Sequence, residues 1–307
     1  MNEHDIAFVA SFCGERAQGN RHIVINVSEK HDMNGLTQTA LTLSGRLPQW
    51  ILVLLRVPES VNASAQARFF KNDHIIQRCG SGSVAAAAYL DHRLQDKTLY
   101  HHRLLQHVLF PLTLQTSSTP IVVGKQKSAY YYETPVLPLV NSRLPQLQRK
   151  LINQPVTDLF LLGGKQDYCV LVLRHKRALE RCELNTRLYQ QISRRSVIVT
   201  APSQTPGVDY YLRYFNPRYG AYEDAATGSA NAMLADYWQR ALRKTSVRGR
   251  QLSPEGGEFI VSCQKGNQIG LSLHQQVIGQ ARFILPDEIG HANFREVSAT
   301  VQGAFTA

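Results

Sequence analysis

The feature that most constrains this chain is a segment it carries twice. "RFFKNDHIIQRCGSGSVAAAAYL" begins at Arg68 and "RYFNPRYGAYEDAATGSANAMLADYW" at Arg213. Both run basic, aromatic, Phe, polar loop, Gly-Ser, then an alanine-rich stretch. Arg68 and Arg213 lie 145 residues apart and Gly82 and Gly228 lie 146 apart, so the two loops differ by one residue. The upstream segments correspond as well. A helical pattern at Leu36 to Leu43 precedes the apolar "WILVLLRV", and one at Glu183 to Arg194 precedes "SVIVTA". Self-similarity at this spacing outranks any single propensity, and it predicts two domains of one design.

Each half reads as strand, helix, strand, strand, Gly-Ser turn, helix and further strands, an α+β pattern. Ala85 to Tyr89 and Ala230 to Trp238 favour helix at little entropic cost. Ser83 and Ser229 suit N-cap or first-turn positions, and the glycines before them allow a tight entry. The expected division is 1–124 for the first domain, 125–285 for the second and 286–307 for an extension, in which "REVSATVQGAF" reads as one more strand.

Composition narrows the class. With 307 residues and 43% apolar content the chain can bury a sizeable core. Its longest apolar run, "WILVLL" at Trp50 to Leu55, is too short to span a bilayer, and "MNEHDIAFVASF" lacks the form of a secretory signal. Five cysteines, odd in number and without metal-ligand spacing, predict reduced thiols, no zinc site and a cytoplasmic protein. The net charge of +11 is dispersed over "RHKR" at Arg174, "RR" at Arg194 and "RALRKTSVRGR" at Arg240. No nucleic-acid motif accompanies it, so solvated faces and an anionic small molecule are expected in place of nucleic acid.

A pseudo-twofold pair of domains forms a cleft where equivalent elements face each other, and here those would be two helix N-termini. Free backbone N–H groups and a partial positive charge suit such ends to carboxylates and to an enolate formed beside one. A base on one face and an acid on the other would complete a proton-transfer site. Cys79 precedes the first helix, where a thiol is expected to ionise more readily; Glu223 and Asp224 precede the second.

These residues resemble a known family. "RYFNPRYGAYEDAATGSANAMLADYW" is similar to the signature of the PhzF-like proteins, named for the phenazine-biosynthesis isomerase. "GNRHIVI" at Gly19 resembles the family's Gly-Asn-Pro turn, "RCGSGSVAAAAYL" its Cys-Gly-His-Ala-Thr segment, and "VIVTAP" at Val197 the strand before the second motif. The likeness covers roughly residues 5 to 285. It implies the fold of diaminopimelate epimerase: two pseudo-twofold domains, each a curved sheet or partial barrel around a central helix. It also implies cofactor-free epimerisation or double-bond migration on a small anionic carboxylate, with no metal. By position, Asp224 matches the family's aspartate, Thr227, Gly228 and Ser229 its anion-binding turn, and Gly80, Gly82 and Ser83 the first-half turn. Homodimer assembly is left open; membrane and nucleic acid are not expected partners.

The departures create two readings. Gly45, in "LTLSGRLPQW", stands where the family has its proton-transfer glutamate; Ser81 stands for the histidine of Cys-Gly-His, and Ala225 for a proline. "CGSG" at Cys79 looks instead like the thiol motif of diaminopimelate epimerase and proline racemase. Either Cys79 and Asp224 form a mixed thiol–carboxylate pair, or the pocket binds without turnover. Cys79 also reads as a small packed residue, Asp224 as a helix cap, and Asn20 as a turn residue or a ligand donor. His74, His101, His102 and His107 read as surface or satisfied core histidines, and Cys13, Cys169, Cys182 and Cys263 as structural. Tyr130 to Tyr132 read as strand on a sheet surface.

Overall fold

A computed structural model of the chain describes residues 2–28, 31–57, 64–95, 110–135, 148–162, 168–192, 195–217, 221–264 and 268–285. The expected strand in 286–307 and the expected histidines at 101, 102 and 107 lie outside those residues. Two compact units result. The first takes Met1–Ser11, Arg21–Gly124 and the chain from Gln275; the second takes Phe12–Asn20 and Lys125–His274. They are not the contiguous halves expected from the sequence. The two longest strands, β1 (Asn2–Cys13) and β16 (Gln268–Leu285), each change unit part-way along.

The duplication extends to the hydrogen bonding. In the first unit β2 (Asn20–Asn26) runs parallel to β3 (Ile51–Arg56), which is antiparallel to β4 (Ala65–Lys71). Strand β4 is parallel to β6 (Leu112–Gln115), which is antiparallel to β7 (Ile121–Gln126), and β5 (His74–Ile76) folds back on β4. In the second unit β8 (Ala129–Pro135) pairs with β16, and β9 (Asp158–Leu162) lies antiparallel to β10 (Tyr168–Val172). The remaining pairings repeat those of the first unit in the same order. Strand β10 is parallel to β11 (Ser196–Pro202), which is antiparallel to β12 (Tyr210–Asn216). Next, β12 is parallel to β14 (Ser246–Gln251), which is antiparallel to β15 (Gly257–Gln264), while β13 (Ala221–Glu223) folds back on β12. Even the register of the repeated arginines agrees: Arg68 sits opposite Leu54 and Arg213 opposite Val199.

Helices occupy both faces of each sheet. In the first unit α1 (Gly35–Arg46) joins β2 to β3 and α2 (Gly80–Gln95) joins β5 to β6. Strand β3 is buried from Ile51 to Leu55, which explains why "WILVLL" shows no polar alternation. Ile23, Ile25, Leu52 and Leu54 turn toward α1 and pack on Leu36, Ala40 and Leu43. By the two-residue period of a strand, His22, Val24 and Val53 therefore point to the opposite face. Every residue of α2 from Ser81 to Leu90 is buried, because small alanines let the sheet curl around it as a half-barrel.

The second unit repeats this with α3 (Lys176–Glu180) and α4 (Thr186–Ile192) packed on Leu171, Val199 and Tyr211, and α5 (Gly228–Leu242) as the enclosed helix. The short α3, capped by His175 accepting from the Ala178 N–H at 3.1 Å, is not expected from the sequence. The repeated arginines act as equivalent pins. Arg68 donates to the Met33 carbonyl (2.9 Å) and to Asn34 and Thr37 at the start of α1. Arg213 donates to the Cys182 carbonyl (2.6 Å) and grips Glu223 with two bonds of 2.8 and 2.6 Å. Tyr130 and Tyr132 are buried, at 8% and 3% exposure, and not on an open sheet surface as expected. Their strand is covered on that face.

Candidate active site

Both Gly-Ser turns open an enclosed helix, and each holds its expected residues in a hydrogen-bonded cluster. At the start of α2, Gly80 is the first helical residue, and Ser81, Gly82 and Ser83 complete the first turn. Ser83 Oγ donates to the Cys79 carbonyl at 2.8 Å, and the Gly82 N–H points at Cys79 Sγ at 3.3 Å. Glycine is required at position 82, because a Cβ there would stand 2.6 Å from the Phe69 ring and 3.2 Å from Cys79 Sγ. Cys79 Sγ lies 3.4 Å from Ser81 Oγ, and Ser81 Oγ lies 3.1 Å from His22 Nε2 on β2. Ser11 Oγ donates to the Ser81 carbonyl at 3.3 Å.

At the start of α5, Thr227 is the N-cap by position, although its side chain does not cap the helix. Its Oγ1 donates instead to Asp224 Oδ2 at 2.6 Å. The Gln251 amide closes the turn: Oε1 accepts from the Thr227 N–H at 2.8 Å and Nε2 donates to the Asp224 carbonyl at 2.6 Å. Asn20 Nδ2 holds the Ala226 carbonyl at 2.6 Å, so that donor serves the loop. Ser253 Oγ donates to the Ala225 carbonyl. Gly228 begins α5 with the Tyr132 hydroxyl only 2.5 Å from where a Cβ would stand, and Ser229 follows it half-buried. Inside the helix, Asn231 donates to the Thr227 carbonyl (2.9 Å) and accepts from the Tyr210 hydroxyl (2.8 Å).

Of the two carboxylates before α5, Glu223 is taken by Arg213 while Asp224, half-buried, faces the helix start. The thiols differ too. Desolvation pushes Cys169 and Cys182 up to about 12, and burial also raises Cys13, with Glu258 adding to it. Cys169 and Cys182 are 0% and 1% exposed, which fits structural thiols, whereas Cys79 keeps 8%. Among the described residues no group of three or more His, Cys, Asp or Glu is placed to hold a metal ion. No helix among them is long and apolar enough to cross a membrane.

The family model for phenazine biosynthesis-like proteins matches residues 143–272. An uncharacterized isomerase of Vibrio cholerae is 31% identical over 210 residues, covering 68% of this chain and 68% of that protein. The chain belongs to the phenazine biosynthesis-like family. A PhzF-family structure from Enterococcus faecalis superposes with a TM-score of 0.76 at 19% identity, covering 92% of this chain and all of that one. A hydroxyproline epimerase from Agrobacterium vitis, solved with bound trans-4-hydroxy-L-proline, shares the fold at a TM-score of 0.52 and 13% identity, covering 94% and 93%. These likenesses establish the diaminopimelate epimerase-like fold of two α+β halves.

Gly45, where the resemblance implies a glutamate, lies exposed near the end of α1. A Cβ there would stand 3.2 Å from that of Asp73. His22 and Gln251 were not singled out from the sequence, and Tyr132 was read there only as strand on a sheet surface. His22 had a signal, a histidine on the strand face opposite Ile23 and Ile25. Tyr132 and Gln251 had none, since their roles depend on contacts far along the chain.

Proposed function

We propose that the chain is a cofactor-independent isomerase that moves a proton on a small, carboxylate-bearing molecule. One observation carries this reading: Asp224 is held at the start of an enclosed helix by the Thr227 hydroxyl while its neighbour Glu223 is consumed by Arg213. Structural pairing and a reactive role are thus divided between adjacent carboxylates. In this reading Asp224 is one acid/base and Cys79 the other. The turns at Gly80 to Ser83 and Thr227 to Ser229 attract the substrate carboxylate through the positive ends of their helix dipoles, since the Gly82, Ser83 and Thr227 N–H groups are already engaged by Cys79 and Gln251. Membership of a family whose relatives are named isomerases supports it. Cytoplasmic residence is part of the same proposal, supported by Cys13, Cys79, Cys169 and Cys182 being thiols.

The test is proton exchange: protein in D₂O with a panel of small carboxylates, following loss of the α-proton by NMR. Wild type should exchange at least one of them, and Asp224→Asn and Cys79→Ala should each slow that same substrate by about 100-fold or more. An Asp224→Asn protein that exchanges as fast as wild type would refute the assignment. A second reading, binding without turnover, is favoured by the exposed glycine at position 45 where a family carboxylate is absent. It predicts thermal stabilisation by a carboxylate with no exchange at all.

A further inference from the structure

The cluster around Ser81 contains an imidazole that the reading above does not use. His22 is fully buried, at 0% exposure, on the face of β2 turned away from α1. Its Nδ1 lies 3.3 Å from the Val9 carbonyl and its Nε2 lies 3.1 Å from Ser81 Oγ. A carbonyl oxygen only accepts, so Nδ1 carries the hydrogen. In the neutral ring Nε2 is then a bare acceptor facing a hydroxyl. Ser81 Oγ donates to it and is left able to accept from the Cys79 thiol, 3.4 Å away. The polarity of the chain is thereby fixed: thiol to hydroxyl to imidazole.

We propose that Cys79, Ser81 and His22 form a buried proton relay, with His22 the store for the Cys79 proton. The thiol proton passes to Ser81 Oγ as the Ser81 hydroxyl proton passes to His22 Nε2. The products are a thiolate, an unchanged serine and an imidazolium, so protons and charge balance without a co-reactant. The Gly82 N–H, 3.3 Å from Sγ, and the start of α2 stabilise the thiolate, and the Val9 carbonyl stabilises the imidazolium. The thiolate is then the form that takes the substrate proton, and the relay runs backward when the proton returns. Ser81 and His22 are positioning residues, since they act through Cys79. The proposal rests on the isomerase reading for its purpose but not for its test.

That test is the pH profile of alkylation at Cys79, followed residue by residue with iodoacetamide and mass spectrometry on the native full chain. Wild-type Cys79 should react faster at pH 7 than Cys169 or Cys182. Ser81→Ala breaks the relay with the smallest change in shape, and His22→Asn keeps the donor to Val9 while losing the acceptor toward Ser81. Each should move the profile to higher pH by about one unit, a fall of about 10-fold in rate at pH 7. If both variants fold, by circular dichroism and an unchanged alkylation rate in urea, and their profiles superimpose on wild type, the relay is overturned. Should His22→Asn fail to fold, Ser81→Ala alone decides. A relay-dependent profile without exchange of any carboxylate supports the relay and sinks the isomerase reading. Exchange at the wild-type rate in folded Ser81→Ala does the reverse.

Discussion

Gln251→Ala should unlock the turn that holds Asp224. The side chain is 1% exposed and satisfies two backbone groups at once, the Thr227 N–H at 2.8 Å and the Asp224 carbonyl at 2.6 Å. Truncation leaves both without these partners. A buried polar group deprived of its partner costs about 1–3 kcal/mol, so two cost about 2–6 kcal/mol, the lower end applying where water refills the space. For a domain of this size about 3 kcal/mol lowers the melting temperature by about 6–12 °C. The assay is urea or thermal unfolding followed by circular dichroism, paired with α-proton exchange. Exchange should fall beyond what the unfolded fraction explains, because Asp224 and Thr227 lose their common anchor. Gln251→Glu separates the two bonds, since it keeps an acceptor for Thr227 but offers no donor to the Asp224 carbonyl. A Gln251→Ala protein within about 0.5 kcal/mol of wild type, the range of neutral surface substitutions, would refute this account of the turn.

Gly82→Ala places a methyl 2.6 Å from the fully buried Phe69 ring and should destabilise by about 1–3 kcal/mol in urea titration. Gly35→Ala, whose nearest neighbour would be 4.0 Å away, should be neutral or slightly stabilising and serves as the control. At high pH the buried thiols set a slope. Burial pushes Cys169 and Cys182 from 9.0 up to about 12, so between those values the unfolded chain releases protons that the native chain keeps. Stability is unaffected by these groups below about pH 9 and falls as pH rises through the window, by up to about 1.4 kcal/mol per unit for each. Urea midpoints from pH 8 to 11 should show a shallower decline in Cys169→Ala than in wild type; parallel declines would rule out this cause.

Much of the fold was legible because the chain states it twice. The arginine at the head of each repeated segment, the Gly-Ser turn and the alanine run are read directly, and the structure gives both copies the same strand pairing and the same pin on a helix connection. What the sequence concealed has a physical cause. Strands β1 and β16 change unit part-way along, and the local sequence of an extended segment does not mark where it passes from one unit to the next. Glu223 and Asp224 look alike as neighbours, yet alternate residues of an extended strand end point to opposite sides, so only one meets Arg213. Tyr132 reads as an exposed aromatic until its hydroxyl is found beside Gly228, contributed by a strand nearly a hundred residues away.

The two helix starts share a plan more specific than the repeat alone required. Ser81 and Thr227 occupy the same place, each directly before the Gly-Ser pair, and each bonds its hydroxyl to an acid/base candidate just upstream. In one copy that group is a thiol two residues back, in the other a carboxylate three residues back, matching the extra residue in the second loop. Position 81 carries serine where the family resemblance implies a histidine; His22, on β2, brings an imidazole to within 3.1 Å of that serine. A swap that moves the ring onto the helix, Ser81→His with His22→Ala, should keep the unit folded, since it exchanges side-chain volume between adjacent positions of one buried site. Ser81→His alone should crowd the buried ring of His22 and cost about 1–3 kcal/mol. If the double variant is no more stable than that single one, the two positions do not share a space and the exchange account fails.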